Sequence, residues 1–162
     1  MGLDMYATTI KATLVDPEWE TDFQPNKAAR RAVGFIDLTD KEIENLPEEG
    51  RVSYWNKRRD ADKRAQSEGW HNPNFYYWRK FNALHAWMEE LYRRKGGTDP
   101  DFNCNTVIVT LDDLDQLLAD TGNLKATEGF FWGNPHEIYP EDLETINDFV
   151  TKSKAAIASG MA

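Results

Sequence analysis

Near the start of the chain apolar and polar positions alternate: Tyr6, Thr8, Ile10, Ala12 and Leu14 interleave with Ala7, Thr9, Lys11 and Thr13. A period of two rich in β-branched residues predicts a strand over 5–15, ended by Asp16-Pro17. Residues 18–26 mix acids with Trp19, Phe23 and Pro25 and read as a surface loop, and Gly34 to Leu38 read as a short second strand. Thr39 and Glu42 have the spacing of a capping box, in which hydroxyl and carboxylate satisfy backbone N–H groups at a helix start. That predicts a brief helix over 40–46, stopped before Pro47. Residues 53–67 lack Gly and Pro and are heavily charged, the pattern of an exposed helix with few core anchors. Asn74 then reads as the N-cap of a long helix over 75–95. In that helix Tyr77, Phe81, Leu84, Met88, Leu91 and Tyr92 share a core-facing stripe, and Gly96-Gly97 ends it.

Farther on, Thr106-Val107-Ile108-Val109-Thr110 reads as a buried strand. Residues 112–120 follow as an amphipathic helix, with Leu111, Leu114, Leu117 and Leu118 on one side, acids where the helix dipole favours them, and Gly122 as the cap. Phe130-Phe131-Trp132, between Gly129 and Gly133, reads as another short strand. Pro140 suits the first turn of a closing helix whose apolar stripe is Leu143, Ile146, Phe149, Val150 and Ile157. Long helices and few, separated strands predict an α+β fold: a small mixed or antiparallel sheet with a long central helix and a C-terminal helix. The chain has 162 residues, 40% of them hydrophobic, which fits a single globular domain over 1–162 with residues 47–74 as a charged helical excursion.

Charge changes the picture in one place. The chain carries a net −9, yet residues 51–95 hold eleven Lys and Arg against five Asp and Glu, together with ten aromatic residues. An acidic chain is a poor general ligand for nucleic acid, because phosphate binding depends on clustered cations releasing counterions. Direct nucleic-acid binding is therefore not expected, although the acidic 96–162 region could imitate nucleic acid toward a DNA-binding enzyme. Cys104 is the sole cysteine, so an intrachain disulfide and a Cys-rich zinc site are both excluded. The opening residues have neither a basic n-region nor an apolar h-region and no apolar run reaches membrane-spanning length, so neither secretion nor membrane insertion is expected, and the expected compartment is the cytoplasm.

Within the central helix, Trp78, Asn82, His85 and Glu89 line one flank of the apolar stripe at spacings of three and four residues. An indole face, an amide, an imidazole and a carboxylate at a core boundary could stack a planar ligand and bond its edges. Arg79 and Lys80 could meet a phosphate, and Trp132, with Asn134 and His136 beside it, could complete the cleft. Core packing is the commoner role for aromatic residues at helical spacing, and turn chemistry accounts equally well for Gly133-Asn134-Pro135. The chain holds no phosphate loop, no Gly-x-Ser-x-Gly elbow and no His-Glu-x-x-His. His71, His85 and His136 are too widely spaced to signal a metal site, and no cofactor is expected. Cys104 with His85 could form a nucleophile and base, but a lone cysteine beside a strand is more often packed and inert.

Several blocks carry a resemblance. Met1-Gly2-Leu3-Asp4-Met5-Tyr6, Tyr77-Trp78-Arg79-Lys80 with Asn82, Leu84, His85 and Trp87, Gly129-Phe130-Phe131-Trp132-Gly133, and Tyr139 before Asp142-Leu143 together resemble a family of small phage and prophage proteins of unassigned function. The resemblance implies a viral or prophage origin and a shared core, brings no catalytic residues, and leaves residues 47–70 outside its pattern. Three functions fit the sequence. The first is a non-catalytic accessory protein of the host cytoplasm that binds a nucleotide-like small molecule or a host protein. The second is an enzyme on a nucleotide or phosphorylated metabolite, with His85 as acid and base. The third is acidic mimicry of nucleic acid. The oligomeric state is not legible.

Overall fold

The computed structural model describes residues 4–16, 18, 20–124 and 138–162. Its described elements are, in chain order, β1 (Asp4–Ile10), a 3-10 turn (Ala12–Leu14), α1 (Pro25–Ala32), α2 (Asp40–Glu44), α3 (Glu48–Ser67), β2 (His71–Arg79), α4 (Asn82–Arg94), α5 (Leu111–Asp120), a second 3-10 turn (Thr121–Asn123) and α6 (Pro140–Ala158). The fold is α+β, with a two-stranded antiparallel sheet, a long central helix and a C-terminal helix.

The segment expected as one helix over 75–95 is a strand followed by a helix. Phe75-Tyr76-Tyr77-Trp78 is a run of residues that suit a half-buried pleated surface, and pairing with β1 decides its conformation. The register sets Asp4 opposite Arg79, Met5 opposite Trp78 and Tyr6 opposite Tyr77. Side chains therefore alternate: Trp78 enters the core, while Tyr77 remains 48% exposed and stacks on Tyr6 at 5.0 Å. Tyr77 thus leaves the core stripe. Between the Ala7–Tyr76 and Thr9–Asn72 pairings, β2 has Pro73, Asn74 and Phe75 against Thr8 alone. A proline that cannot donate to the ladder is tolerated at such a bulge. Lys80, at φ +59°, turns the chain from strand into helix, so Asn74 caps no helix.

Other boundaries moved for local reasons. β1 ends at Ile10, beyond which the Lys11 N–H donates to the Trp70 carbonyl and the chain turns through residues 12–14. Residues 34–38 form no strand: the Phe35 N–H donates to the Arg30 carbonyl of α1 and the Leu38 N–H to the Tyr54 hydroxyl. Residues 106–110 hold a single bridge, Val107 with Thr21, in place of the expected strand. Helix α1, begun by Pro25, lies partly in the segment read as loop. Gly122 sits inside a 3-10 turn instead of capping α5. The predicted capping box is present: Thr39 Oγ1 accepts from the Glu42 backbone, and Glu42 accepts from the Thr39 N–H at 2.8 Å. Thr110 and Asp113 repeat the device at α5. The expected strand at 129–133, with Trp132, Asn134 and His136, lies outside the described residues.

Two apolar clusters hold these elements. The larger joins Trp78, Leu84, Trp87, Met88 and Leu91 to Leu114 and Leu117 of α5 and to Ile146, Phe149 and Val150 of α6. The smaller joins Ile10, Ala29 of α1 and Ala65 of α3, with Phe23, Val33 and Trp70 around them. Both α3 and α4 end in a left-handed glycine, Gly69 at φ +71° and Gly96 at φ +91°, with the paired hydrogen bonds of a Schellman cap.

Candidate functional site

The sequence-predicted flank straddles the β2–α4 junction, and the structure turns most of it inward. Trp78, Asn82 and His85 are 6, 3 and 6% exposed. Trp78 packs edge-on against Phe149 at 4.8 Å and beside Tyr76 at 4.6 Å. His85 faces Phe102 at 5.2 Å. Burial lowers the His85 pKa, against the opposing pull of Glu89 and a hydrogen bond with the Phe102 backbone. One turn on, Glu89 pairs with Arg93 at 3.3 Å, and Arg93 donates to the carbonyls of Gly97, Asp99 and Pro100. The row His85–Glu89–Arg93 therefore fastens the 97–102 loop over α4. Arg79 and Lys80 are exposed, on the strand and its turn, apart from the buried trio. Trp132 lies outside the described residues. Cys104 is exposed in a loop at φ +65°, not packed beside a strand.

A second polar centre was not visible in the sequence. Arg30 on α1 is 4% exposed and binds both oxygens of Asp37 through Nε, at 3.1 and 3.0 Å, while its Nη1 reaches Asp62 of α3 at 2.8 Å. Arg58 approaches Asp37 at 3.4 Å, and the Leu38 N–H donates to the Tyr54 hydroxyl. His71, at the start of β2, is buried beside this group. Its pKa is lowered by burial and by Arg30, with Asp62 acting in the other direction. Forked guanidinium–carboxylate pairing suits a site where charges must leave water. These pairs tie α1, the 34–39 segment and the inner face of α3 together. Arg30 is followed directly by Arg31, so nothing local marks which of the two is buried, and Asp37 and Asp62 come to it by chain reversal and helix packing.

Next to this ion-paired edge, the outward flank of α3 is left open. Tyr54, Ala61 and Ala65 are the buried positions of the helix. Val52 and Trp55 are 57 and 47% exposed, and the Arg58 guanidinium stands 5.1 Å from the Trp55 ring. Arg51, Arg59 and Lys63 are exposed around them. A shallow, open depression follows the surface of the helix between Glu48-Val52-Asn56-Asp60 and Glu49-Ser53-Lys57, lined by α3 alone. A cleft of about 260 Å³ lies at the end of α3, lined by Gln66, Gly69, His71, Asn72, Pro73 and Met161. Neither is lined by Trp78, Asn82 or His85.

Among the described residues no group of three or more His, Cys, Asp or Glu is placed to hold a metal ion, and no helix is long and apolar enough to cross a membrane. The chain matches no known family model, no curated protein and no solved structure.

Proposed function

We propose that this chain is a non-catalytic accessory protein, of the phage or prophage kind its sequence blocks resemble, that binds a host protein in the cytoplasm through the exposed flank of α3. The observation that carries the reading is Trp55, half-exposed on a regular helix and surrounded by Arg51, Val52, Arg59 and Lys63. Leaving a Trp and a Val in water forgoes the gain of burying them, and Trp with Arg is the pairing that dominates protein–protein contact energies. A partner suited to this flank offers an apolar notch for the indole and a rim of carboxylates for the cations. The nucleotide-like ligand has less support, because the flank that would stack a base is packed against Phe149 and Phe102.

The test is affinity capture from host cytoplasm with wild-type protein, Trp55→Ala and Arg59→Glu/Lys63→Glu. The reading requires a partner with an acidic contact surface that is lost from both variants while their thermal unfolding is unchanged, and whose retention falls as salt rises. A partner retained by both variants would place the binding surface elsewhere.

A further inference from the structure

We infer that Tyr6 and Tyr77 are an oxidative modification site, at which a haem peroxidase with hydrogen peroxide joins the two rings into a dityrosine that staples β1 to β2. The site is independent of the host-protein reading, since it lies on the outward face of the sheet and not on α3. The register sets Tyr6 directly opposite Tyr77 on the adjacent strand, where side chains on one face lie within contact distance. Their ring centroids are 5.0 Å apart and the ring planes are tilted by 39°. Both rings stand in solvent, at 63 and 48% exposure, so an oxidant reaches them and their torsions can bring the ring edges together. Among the described residues this is the one contact between two tyrosine rings. Tyr54 adjoins Phe35 and Trp55, Tyr76 adjoins Trp78 and Phe149, and Tyr92 adjoins Phe102.

Each phenol gives up one electron to the oxidant and one proton. The proton of Tyr77 passes to Asp4, whose carboxylate already accepts from that hydroxyl at 2.8 Å, and the proton of Tyr6 passes to water. The two tyrosyl radicals then pair their electrons in one carbon–carbon bond between ring positions ortho to the hydroxyls. The hydrogen on each joined carbon moves to the oxygen of its own ring as aromaticity returns. Hydrogen peroxide takes up the two electrons and two protons and leaves as two waters, so the product is the protein less two hydrogen atoms. Rings already held side by side couple within the molecule in preference to coupling with a ring of another molecule in dilute solution. A sheet of two strands is marginal by itself, and a bond between positions far apart in sequence restricts the unfolded chain, so the link holds β1 in place.

Treating the dilute full-length chain with a haem peroxidase and limiting hydrogen peroxide tests this directly. The expected product is a monomer with dityrosine fluorescence, two hydrogen atoms lighter, from which trypsin releases residues 1–11 joined to residues 65–79. Tyr6→Phe and Tyr77→Phe, which keep both rings, should each lower the yield of that monomer about tenfold or more, while Tyr76→Phe leaves it unchanged. Unchanged circular dichroism across the set would show that the fold is kept. The linked monomer should unfold at higher urea than the unlinked protein, with slower hydrogen exchange along β1. A monomer that gains no dityrosine while free tyrosine couples under the same conditions would overturn the proposal. So would a link that survives either substitution, fluorescence confined to covalent dimers, or a linked monomer no more stable than before. The Trp55 reading stands or falls separately, through capture of the host protein.

Discussion

Helices α3 and α4 each set a tryptophan near an arginine, and they use the pair in opposite ways. On α4, Trp87 is 6% exposed, its indole N–H donates to Asp120 at 2.9 Å, and Arg94 lies 5.6 Å from the ring as a cover on a closed core. On α3, Trp55 is 47% exposed, and Arg58, 5.1 Å from its ring, turns toward Asp37 on the inner side of the helix. The difference arises from what each helix is anchored by. Eight residues of α4 are buried, so its aromatic side chains are consumed by packing. Only three residues of α3 are buried, and ion pairs from its Asp62 to Arg30 and from its Arg58 to Asp37 add to their hold. A helix held by ion pairs on one edge can leave its large apolar residues outside, where they are free for a partner. The region with the more chemically suggestive side chains is thus packed inside, and the plainer charged helix keeps its Trp in water.

The largest effect should come from breaking the closed side. Trp87→Ala removes a buried indole and leaves Asp120 with only its Gln116 donor, which should cost about 3–5 kcal/mol in urea unfolding. A cost under about 1 kcal/mol would mean that α4 is not the core described here. Asp37→Ala leaves the Arg30 guanidinium buried with one carboxylate fewer, and losing one partner of a buried ion pair costs about 3 kcal/mol. Hydrogen exchange should then rise along α1 and α3 while α4 and α6 stay protected. Uniform loss of protection would show the two clusters to be one cooperative unit.

Gly97→Ala sharpens the contrast from the α4 side, since the added Cβ would lie 2.2 Å from the Tyr92 ring, a contact the buried ring must move to relieve. A loss of about 1–3 kcal/mol is expected, with α3 exchange unaffected.

A pH series probes both regions together. Burial lowers the pKa of His71 and of His85 from the ordinary 6.5. Between the lowered folded values and 6.5 the unfolded chain binds more protons, so stability is full above pH 6.5 and declines as pH falls through that window. His71→Gln and His85→Gln should each flatten part of the decline in the urea midpoint. A midpoint that rises on acidification would contradict both assignments. The smallest stability effect belongs to Trp55→Ala, within about 0.5 kcal/mol for an exposed position.

Much of this was legible where a local rule settles the matter. The box of Thr39 and Glu42 fixed the start of α2, and Pro140 with the apolar stripe of Ile146, Phe149 and Val150 marked α6. The aromatic run Phe75–Trp78 was not legible, because four consecutive large apolar residues satisfy a period of 2 as well as one of 3.6, and only pairing with β1 selects the strand. The Arg30 centre depends on Asp37 and Asp62, seven and thirty-two residues away, and no local pattern announces it. Exposure of Trp55 was likewise a tertiary outcome, since its neighbour Tyr54 is the one turned inward. For the site, the residue types were readable but their side of the surface was not.

The central claim is that the outer side of α3 is a contact surface, and partner capture by Trp55→Ala beside wild type, at equal folded concentration, tests it most directly. The account predicts a variant that melts with the wild type and no longer retains an acidic partner; an equally stable variant that captures the same protein to the same extent would contradict it.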